Sequence, residues 1–319
     1  MKLVKPSFEI LEQEPSYEGM LRHIERCGRT CYKSEDKITK DSAKKFVDMI
    51  INRGHTAVLE QGTVYLAIPM TTYCPEAVNT YIDNPYSVVN ECNDFVFTDK
   101  YGNEVCAWCV TTNYRVLLEN DCLEDLEFLC EPTKYHTKRI TVKFICDRGV
   151  SHEFVRHRVF SFAQESTRYC NYSKDKFGKE CTFIIPSWLS DSITREGHYA
   201  WHCWCGLYTY GPGKECFSSE EEYENRKGTD FADNSPEGLF IAELQNAEFT
   251  YFKLLEQGWI AQQARAVLPN SLKTELIMTG TIDQWKGFFK LRDAKDAHPQ
   301  ARELAQPLHE EFIKRGWLV

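Results

Sequence analysis

The segment from Arg156 to Tyr169, with the sequence RHRVFSFAQESTRY, constrains this chain more than any other part of it. Three arginines, a histidine and the hydroxyl groups of Ser166 and Thr167 lie within these 14 positions. Arginine keeps its charge at any working pH and binds phosphates and carbonyl oxygens through paired N–H donors. Three guanidinium groups buried together would repel one another unless an anion or acidic side chains lay between them. Because apolar residues separate the arginines, a simple solvated face is disfavoured, and we expect a half-buried site for a small anion.

This basic segment belongs to an acidic chain. The 319 residues carry a formal net charge of −9, yet residues 148–168 contain four arginines and only two glutamates. A local basic island in an acidic protein suits a small anionic ligand, so we expect neither nucleic-acid nor membrane binding. With 42% hydrophobic residues the chain can bury a large core. No segment has the roughly 18 consecutive apolar residues of a membrane span, and we expect a cytoplasmic protein.

The cysteines raise the question of disulfides and metal. Fourteen of them are spread along the chain, and we expect reduced, mostly buried thiols. One group within residues 187–235 has side chains of the types that bind zinc: His198, His202, Cys203, Cys205 and Cys216. Their spacing is irregular, and Cys203 and Cys205 would point to the same side of a strand, which suits packing equally well. We therefore predict no metal site.

Hydrophobic periodicity predicts an α+β fold in which helices and strands are mixed without a regular βαβ alternation. Helices are predicted over residues 16–28, 40–53, 236–257, 259–267, 282–291 and 299–315, the last interrupted by Pro307. Strands are predicted over residues 63–70 and 139–146. The second helix should be capped by Asp41 and closed by Gly54.

A short helix is also predicted within the basic region. It should be capped by Ser151 and run through Arg156, which would turn Arg156 and Arg158 about 200° apart. Two arginines facing different ways would suit a wall between two ligands or two subunits. Two segments with loop-like composition, 83–133 and 187–235, are interpreted as insertions in a single domain that spans residues 1–319.

Three further motifs carry chemically useful side chains. His55 is followed five residues later by Glu60, in a turn between a predicted helix and a predicted strand. Arg265 begins the sequence RAVLP, and Arg292 ends an aromatic stretch, WKGFFKLR, that starts at Trp285. Each motif also has a plainer explanation, since a loop histidine can cap a helix and an arginine at a helix end stabilises its dipole.

Taken together, these motifs resemble one family. R-H-R, then seven residues, then serine and x-R-Y is similar to the defining motif of the flavin-dependent thymidylate synthases. His55 with Glu60 resembles the family's His-x4-Glu element, and Arg265 its R-x-V-L-P segment. Arg292 follows Arg265 by 27 residues, the interval found in a bacterial member of the family. The resemblance covers residues 20–315 apart from the two predicted insertions.

The resemblance implies both an activity and an assembly. The chain should convert dUMP to dTMP with methylene-tetrahydrofolate as carbon donor, hydride from reduced FAD, and NADPH as the source of electrons. The cofactor then carries the difficult chemistry, and the protein supplies binding and positive charge. The family forms homotetramers with active sites at subunit interfaces, so the same assembly is expected here.

The resemblance also implies roles for individual residues. Arg292 should stabilise negative charge on the uracil, with His55 and Ser166 as the other catalytic candidates. The residues expected to bind dUMP are Glu153, Arg156, Gln164, Glu165, Ser166, Thr167, Arg168, Arg265 and Arg292. The residues expected to bind FAD are Glu60, Arg156, His157, Arg158, Gln164, Thr281, Asp283 and Gly287.

The chain departs from the family pattern at several of these positions. Ala57 falls where the family commonly has a threonine or serine that contacts FAD. Glu153 replaces a frequent glutamine and Gln164 a frequent glutamate, which exchanges the charge between the two sites. Thr281, Asp283 and Gly287 occupy the positions where asparagine, arginine and asparagine often contact the adenine half of FAD. No G-x-G-x-x-G follows a strand, so a Rossmann site is not expected.

Two other classes of function compete with this interpretation. A serine hydrolase could use Ser166 with His157, but Ser166 lies outside any G-x-S-x-G elbow. A noncatalytic nucleotide-binding module could use the arginines only to hold phosphate. A bound flavin would exclude the first class, and dUMP-dependent oxidation of reduced flavin would exclude the second.

Overall fold

The fold is given by a computed structural model that describes residues 1–70, 76–98, 102–189 and 236–318. Between residues 190 and 235 it describes only four two-residue strands. Of the predicted zinc-ligand candidates, Cys203 and Cys205 lie outside the described residues, and the others fall on these short strands. Among the described residues, no group of histidine, cysteine and acidic side chains is arranged to hold a metal ion.

Helices account for much of the described chain. They are α1 Tyr17–Tyr32, α2 Ala43–Asn52, α3 Glu76–Ile82, α4 Tyr114–Glu119, α5 Arg148–Phe154, α6 Pro236–Glu256, α7 Ala261–Ala264, α8 Ile282–Arg292 and α9 Pro299–Lys314. The predictions for α1, α2, α6, α8 and α9 are confirmed. The predicted helix at 259–267 is shorter than expected, with α7 followed by a 3₁₀ turn at Arg265–Val267. None of the helices in the described ranges is long and apolar enough to span a membrane.

The strands form separate small sheets. They are β1 Lys2–Val4, β2 Ser7–Leu11, β3 Thr63–Pro69, β4 Val88–Thr98, β5 Glu104–Asn113, β6 Arg139–Asp147, β7 Ser161–Gln164, β8 Thr182–Ile184, β9 Gly197–His198, β10 Trp201–His202, β11 Tyr208–Thr209, β12 Cys216–Phe217 and β13 Lys273–Thr281. The sheet that positions the candidate site is antiparallel, in the order β2-β6-β13-β7. The predicted strands at 63–70 and 139–146 are confirmed as β3 and β6, so the α+β prediction is correct.

The core beneath this sheet follows from alternation along β6. Alternate side chains of β6 are buried on one face: Ile140, Val142, Phe144 and Cys146. They pack against Trp285 and Phe288 of α8 and Phe312 of α9, all fully buried. Burying such large side chains contributes about 1.5–3 kcal/mol each, which fixes α8 on the sheet. The residue that ends α8, Arg292, is placed by this packing.

A second core lies around the sheet β3-β5-β4. Met20 and Ile24 of α1 and Phe46 of α2 are buried with Val64 of β3 and Val110 of β5. The segment 83–133, predicted as an insertion, supplies β4, β5 and α4 to this core. β5 is the central strand of this sheet, and its last five residues, 109–113, are all buried.

Three local predictions are wrong. The N-cap of α2 is Ser42 in place of Asp41, and Ser42 Oγ accepts a hydrogen bond from Thr39 N at 2.9 Å. Pro307 does not interrupt α9. Leu304, Leu308 and Phe312 are all buried on one face of α9, and this packing outweighs the backbone hydrogen bond that proline cannot make.

The third correction concerns the helix in the basic region. Asp147 caps α5, accepting a hydrogen bond from Val150 N at 2.6 Å, while Ser151 lies inside the helix. The helix ends at Phe154, so Arg156 and Arg158 are not on it and the expected 200° separation does not apply. Because Phe154 and Phe160 are buried in the same core, the chain between them turns back.

Candidate active site

The turn after α5 exposes the two predicted arginines. Arg156 and Arg158 are both exposed, and neither guanidinium group has a hydrogen bond or ion pair with the described residues. The backbone of the turn is held by hydrogen bonds from Arg156 N to Glu153 O and from His157 N to Phe154 O. Two cations are therefore presented on a fixed backbone without counter-ions from the described residues, which suits binding of an anion.

Between them, His157 is half-buried and contacts Arg292. Arg292 Nε donates a hydrogen bond to His157 Nε2 at 3.1 Å. The other two nitrogens of the Arg292 guanidinium bind Glu153, one to the carboxylate at 2.5 Å and one to the backbone carbonyl at 2.8 Å. The structure thus brings together three residues that the sequence predicted for the site, from α5, the turn after it and the end of α8.

The electrostatics of His157 follow from this contact. Burial, together with the positive charge of Arg292, lowers the pKa of His157 to about 4. Its ring packs against Phe288, with ring centroids 5.1 Å apart, and edge-on to Phe160. At neutral pH the imidazole is therefore uncharged, and the arginines supply the positive charge at this site.

These residues line an open cleft of about 630 Å³. Its walls come from the end of α5, the following turn, the end of α8 and the loop before α9: Glu153, Arg156, His157, Lys290, Leu291, Arg292, Ala294, Asp296, Ala297 and His298. The cleft is open to solvent and large enough for a small organic ligand.

The second part of the motif, residues 164–168, follows β7. Gln164 is half-buried, and its amide donates to Ser151 Oγ at 2.9 Å. Thr167 is buried and accepts a hydrogen bond from Arg265 Nη1 at 2.9 Å. The structure therefore joins the R-x-V-L-P arginine to the central motif. Arg168 is exposed and lies over the ring of Tyr169 at 5.5 Å.

Ser166 is not placed as a nucleophile. Its backbone N–H donates to Cys31 O at 3.1 Å, and its hydroxyl accepts from Arg168 N at 3.3 Å. No histidine or carboxylate among the described residues hydrogen-bonds to its hydroxyl, so nothing there could take its proton. His157 contacts Arg292 instead, which removes the pairing that a serine hydrolase would need.

Glu165 is buried in a group of charges that the sequence interpretation missed. Its carboxylate binds Lys273 at 2.8 Å, and Lys273 also binds Glu275 at 2.7 Å. Glu275 further pairs with Lys33 and with Lys143. We call these five residues the lysine–glutamate cluster. The available signal was a pair of charged residues at alternate positions, Lys273 and Glu275, directly before the apolar residues 276–278 of the same strand.

The charges in this cluster fix one another's ionisation. Burial alone would raise the pKa of Glu275, but Lys273, Lys33 and Lys143 outweigh it and hold that pKa far below its usual value. Burial would lower the pKa of Lys273, and Glu165 and Glu275 outweigh it in the opposite direction. Glu275 and Lys273 are therefore both held in their charged forms. The cluster has three lysines and two glutamates, so one positive charge is left over, and the Glu165 carboxylate is already bound by Lys273.

The structure connects His55 to the motif through two tyrosines. His55 is exposed, and its Nδ1 lies 2.8 Å from the hydroxyl of Tyr32, at the end of α1. Tyr32 in turn packs against Tyr169, with ring centroids 5.3 Å apart. Tyr32 was not predicted, because a tyrosine at a helix end carries no distinctive signal in the sequence.

Glu60 lies in the 3₁₀ turn that leads into β3. Its carboxylate is bound by Arg115 at 2.6 Å, from the segment predicted as an insertion. Its carbonyl accepts a hydrogen bond from Arg139, which also donates to Ser161 at the start of β7. Arg139 therefore links the backbone of Glu60 to the start of β7.

The three positions on α8 that were predicted to bind FAD differ in their contacts. The hydroxyl of Thr281 caps α8, accepting from Gln284 N at 3.3 Å. Asp283 forms an exposed ion pair with Lys286 at 2.8 Å. Gly287 is exposed, and a β-carbon placed there would meet no atom within 4 Å. A role for these positions in binding FAD stays a prediction.

Comparison with known proteins identifies the family. The profile of the thymidylate synthase complementing protein family matches residues 135–315, more than half of the chain. The matched region contains the cleft residues, whereas His55 and Glu60 precede it.

Individual relatives are more distant. The flavin-dependent thymidylate synthase of Pyrococcus furiosus is 28% identical over 170 residues, which is 53% of this chain and 52% of that protein. The corresponding protein of Corynebacterium aurimucosum is 28% identical over 160 residues, 50% of this chain and 51% of the relative. The chain thus spans about half the length of the curated relatives it matches.

A solved structure is also similar at low identity. It is the UMP/dUMP methylase PolB from Streptomyces cacaoi bound with 5-Br dUMP, with a TM-score of 0.39 and 15% identity over 98% of this chain and 93% of that one. The family assignment depends on the profile match alone, and its match covers the turn with Arg156, His157 and Arg158 as well as Arg265 and Arg292. The chain belongs to the thymidylate synthase complementing protein family.

Proposed function

We propose that this protein is a flavin-dependent thymidylate synthase that converts dUMP to dTMP, with methylene-tetrahydrofolate as carbon donor and NADPH as reductant. The observation that carries the proposal is the cleft in which Arg292, His157 and Glu153 meet beside Arg156, which has no counter-ion among the described residues. Family membership and the names of the curated relatives support it.

The residues present suit an anionic flavin nucleotide. Arg156 and Arg158 have no counter-ion among the described residues, and guanidinium groups bind phosphate and carbonyl oxygens through paired donors. We assign Arg156, His157 and Arg158 to FAD binding, and we assign Arg156 to dUMP binding as well. Bound FAD, once reduced, supplies the hydride that dUMP needs. Thr281, Asp283 and Gly287 remain the proposed contacts to its adenine half, with Gln164 and Glu60 nearby.

The substrate is proposed to bind against residues 164–168. Ser166 and Arg168 offer a hydroxyl and a guanidinium, and Arg265 is held beside them by Thr167. Arg292 should stabilise the negative charge that develops on the uracil, because a preorganised cation in a partly dry site does so without reorganisation. Glu165 contributes through the backbone it fixes, since Lys273 already binds its carboxylate.

Ser166 is proposed to bind substrate by hydrogen bonding and to form no covalent bond. We expect Ser166→Ala to weaken dUMP binding while dTMP synthesis stays measurable. A covalent adduct on Ser166, detected by mass spectrometry in the presence of substrate, would contradict this role.

The assembly is proposed to be a homotetramer in the cytoplasm, with sites completed by a neighbouring subunit. Large apolar side chains flank the cleft arginines and are exposed in the single chain: Val155, Val159 and Leu291, at 37%, 46% and 60%. Apolar surface beside a charged site is typical of a face that another chain covers.

A spectrum and one reaction test the proposed function. Purified protein should absorb between about 350 and 500 nm, as oxidised flavin does. After anaerobic reduction, addition of dUMP and methylene-tetrahydrofolate should reoxidise the flavin and yield dTMP. Binding of dUMP without flavin oxidation would instead support the noncatalytic nucleotide-binding module, and absence of both would exclude the proposal.

A further inference from the structure

The hydrogen bonds of Arg292 orient it toward His157. The carboxylate and the backbone carbonyl of Glu153 take two nitrogens of the guanidinium group. The N–H on the third nitrogen, Nε, points to His157 Nε2 at 3.1 Å. Glu153 therefore fixes the direction from which Arg292 approaches the imidazole.

This contact decides where the proton of His157 lies. An arginine can only donate, so His157 Nε2 must accept and cannot carry a hydrogen. A neutral imidazole has one N–H, which must then be on Nδ1. Among the described residues, Nδ1 has no hydrogen-bond partner, and His157 lines the open cleft. The ring itself is held between Arg292 and the Phe288 ring, which restricts its rotation.

We propose that Glu153 and Arg292 are positioning residues that hold His157 as the neutral Nδ1–H tautomer. His157 then presents one N–H donor to the cleft. We expect it to bind a carbonyl oxygen or a ring nitrogen of a planar heterocycle. The inference rests on the proposed function for the identity of that heterocycle, which is uracil or the flavin ring.

This arrangement explains why the chain has Glu153 where the family frequently has glutamine. A carboxylate binds a guanidinium more strongly than an amide does, and it neutralises the charge of Arg292 in the absence of substrate. The side chain of Glu153 is 30% exposed and that of Arg292 is 15% exposed, so the pair is partly shielded from water. Glu153 thereby belongs with the group that orients the site, in addition to any contact with dUMP.

The test is nuclear magnetic resonance of protein labelled with ¹⁵N only in histidine. The His157 signals are assigned by their loss in His157→Gln. In the wild type between pH 6 and 8, Nδ1 should carry the hydrogen and Nε2 should show the shift of an unprotonated nitrogen. In Arg292→Ala, the ring should change to the Nε2–H tautomer that free histidine prefers, and protonation should begin at higher pH. His152, exposed on α5, is the internal control and should not change.

Two Glu153 variants separate hydrogen bonding from charge. In Glu153→Gln the amide oxygen can still accept from Arg292, so His157 should keep the Nδ1–H tautomer. In Glu153→Ala Arg292 loses one of its two anchors, and a mixture of tautomers should appear. This variant also serves if Arg292→Ala does not fold. An Nε2–H tautomer in the wild type, or no change in both Arg292→Ala and Glu153→Ala, would overturn the proposal.

Ligands then identify the acceptor. dUMP and FAD are added separately to FAD-free protein, and the ligand that binds His157 should shift the Nδ1 and attached-hydrogen signals. If neither dUMP nor FAD shifts these signals, His157 is not a donor to either ligand and the proposal is overturned. The tautomer is measured without turnover. A protein that makes no dTMP can therefore still show the Nδ1–H tautomer, and the two failures are distinguishable.

Discussion

The cleft and the lysine–glutamate cluster hold their positive charges in opposite ways. Arg156 in the cleft wall and Arg158 in the same turn are exposed and have no counter-ion among the described residues. In the cluster, the three lysines are largely buried, and each is bound by Glu165, Glu275 or both. The two groups flank the same stretch of chain, since the arginines precede β7 and Glu165 follows it.

This difference indicates that the exposed arginines bind a ligand, whereas the paired lysines stabilise the fold. A buried cation without a partner costs several kcal/mol, so the lysines need their carboxylates. Exposed guanidinium groups stay hydrated at little cost and attract anions. The backbones of the two glutamates are also joined, since Glu165 N donates to Glu275 O at 2.8 Å. Disrupting the cluster should therefore reduce stability, and disrupting the cleft should reduce binding or catalysis.

The largest effect is expected from Glu275→Gln. This change leaves three ammonium groups with one carboxylate, so we expect a loss of about 3–5 kcal/mol in the free energy of unfolding. Urea unfolding followed by circular dichroism measures it. As a control, Asp48→Asn breaks the exposed pair with Lys44 and should cost less than about 1 kcal/mol. Equal losses in the two variants would show that the cluster does not stabilise the fold.

The next effect is kinetic and lies in the cleft. Arg292→Ala should slow the chemical step by about 10²–10³-fold, the scale of removing one preorganised charge-stabilising donor. Single-turnover oxidation of reduced flavin with saturating dUMP measures this step. Flavin content should fall less than in the Arg156 and Arg158 variants, because both of those guanidinium groups remain. A rate within a few fold of the wild type would remove Arg292 from the catalytic group.

Replacing Arg156 or Arg158 should affect binding alone. Arg156→Ala and Arg158→Ala should each weaken FAD binding about 10–100-fold, as expected for the loss of a hydrogen bond to a charged group worth about 1.5–3 kcal/mol. Their stability should stay within about 0.5 kcal/mol of the wild type. Flavin absorbance after gel filtration and thermal melting give the two readouts. Arg22→Ala, which removes an exposed arginine paired with Glu14, should alter neither, whereas full flavin retention in both cleft variants would contradict the assignment.

The smallest effect is expected at Glu303 of α9, a carboxyl beside another carboxyl. Burial and the Asp147 carboxylate raise the pKa of Glu303 to about 7. In the unfolded chain the group loses its proton near pH 4.5, so the folded state holds the extra proton between these values. Stability from this group is therefore present at pH 4.5 and lost as the pH rises through 7. Glu303→Gln should flatten this dependence in unfolding measured at pH 5 and pH 8, and Glu310→Gln on the same helix should not.

The folded elements were predictable where a regular pattern covers many residues. Alternation along β6 and the aromatic spacing of α8 place these elements on one core, and both were predicted within one residue of their observed bounds. The short helix before the arginines was misplaced, because it has only seven residues and its cap, Asp147, also ends a strand. Local patterns decide little when an element is that short.

The residues of the candidate site were predicted from the sequence, but the hydrogen bonds that join them were not. Arg265 with Thr167, and Arg292 with Glu153 and His157, join residues that are 98 to 139 positions apart. Their order along the chain was available from the sequence. The partner of each side chain was not, since a hydrogen bond is decided by the final position of two separate elements.

The sequence by itself determined the residue types of this site: arginines that stay charged, a serine without a general base beside it, and aromatic residues that would bury the end of α8. Only the tertiary structure decided which charges are free. Lysines and arginines have the same sign in the sequence, yet packing against β13 gives the lysines buried carboxylates, while the turn after Phe154 leaves Arg156 and Arg158 in solvent. The reason is physical, because the energy of a charge depends on its surroundings, and those exist only once distant segments have packed together.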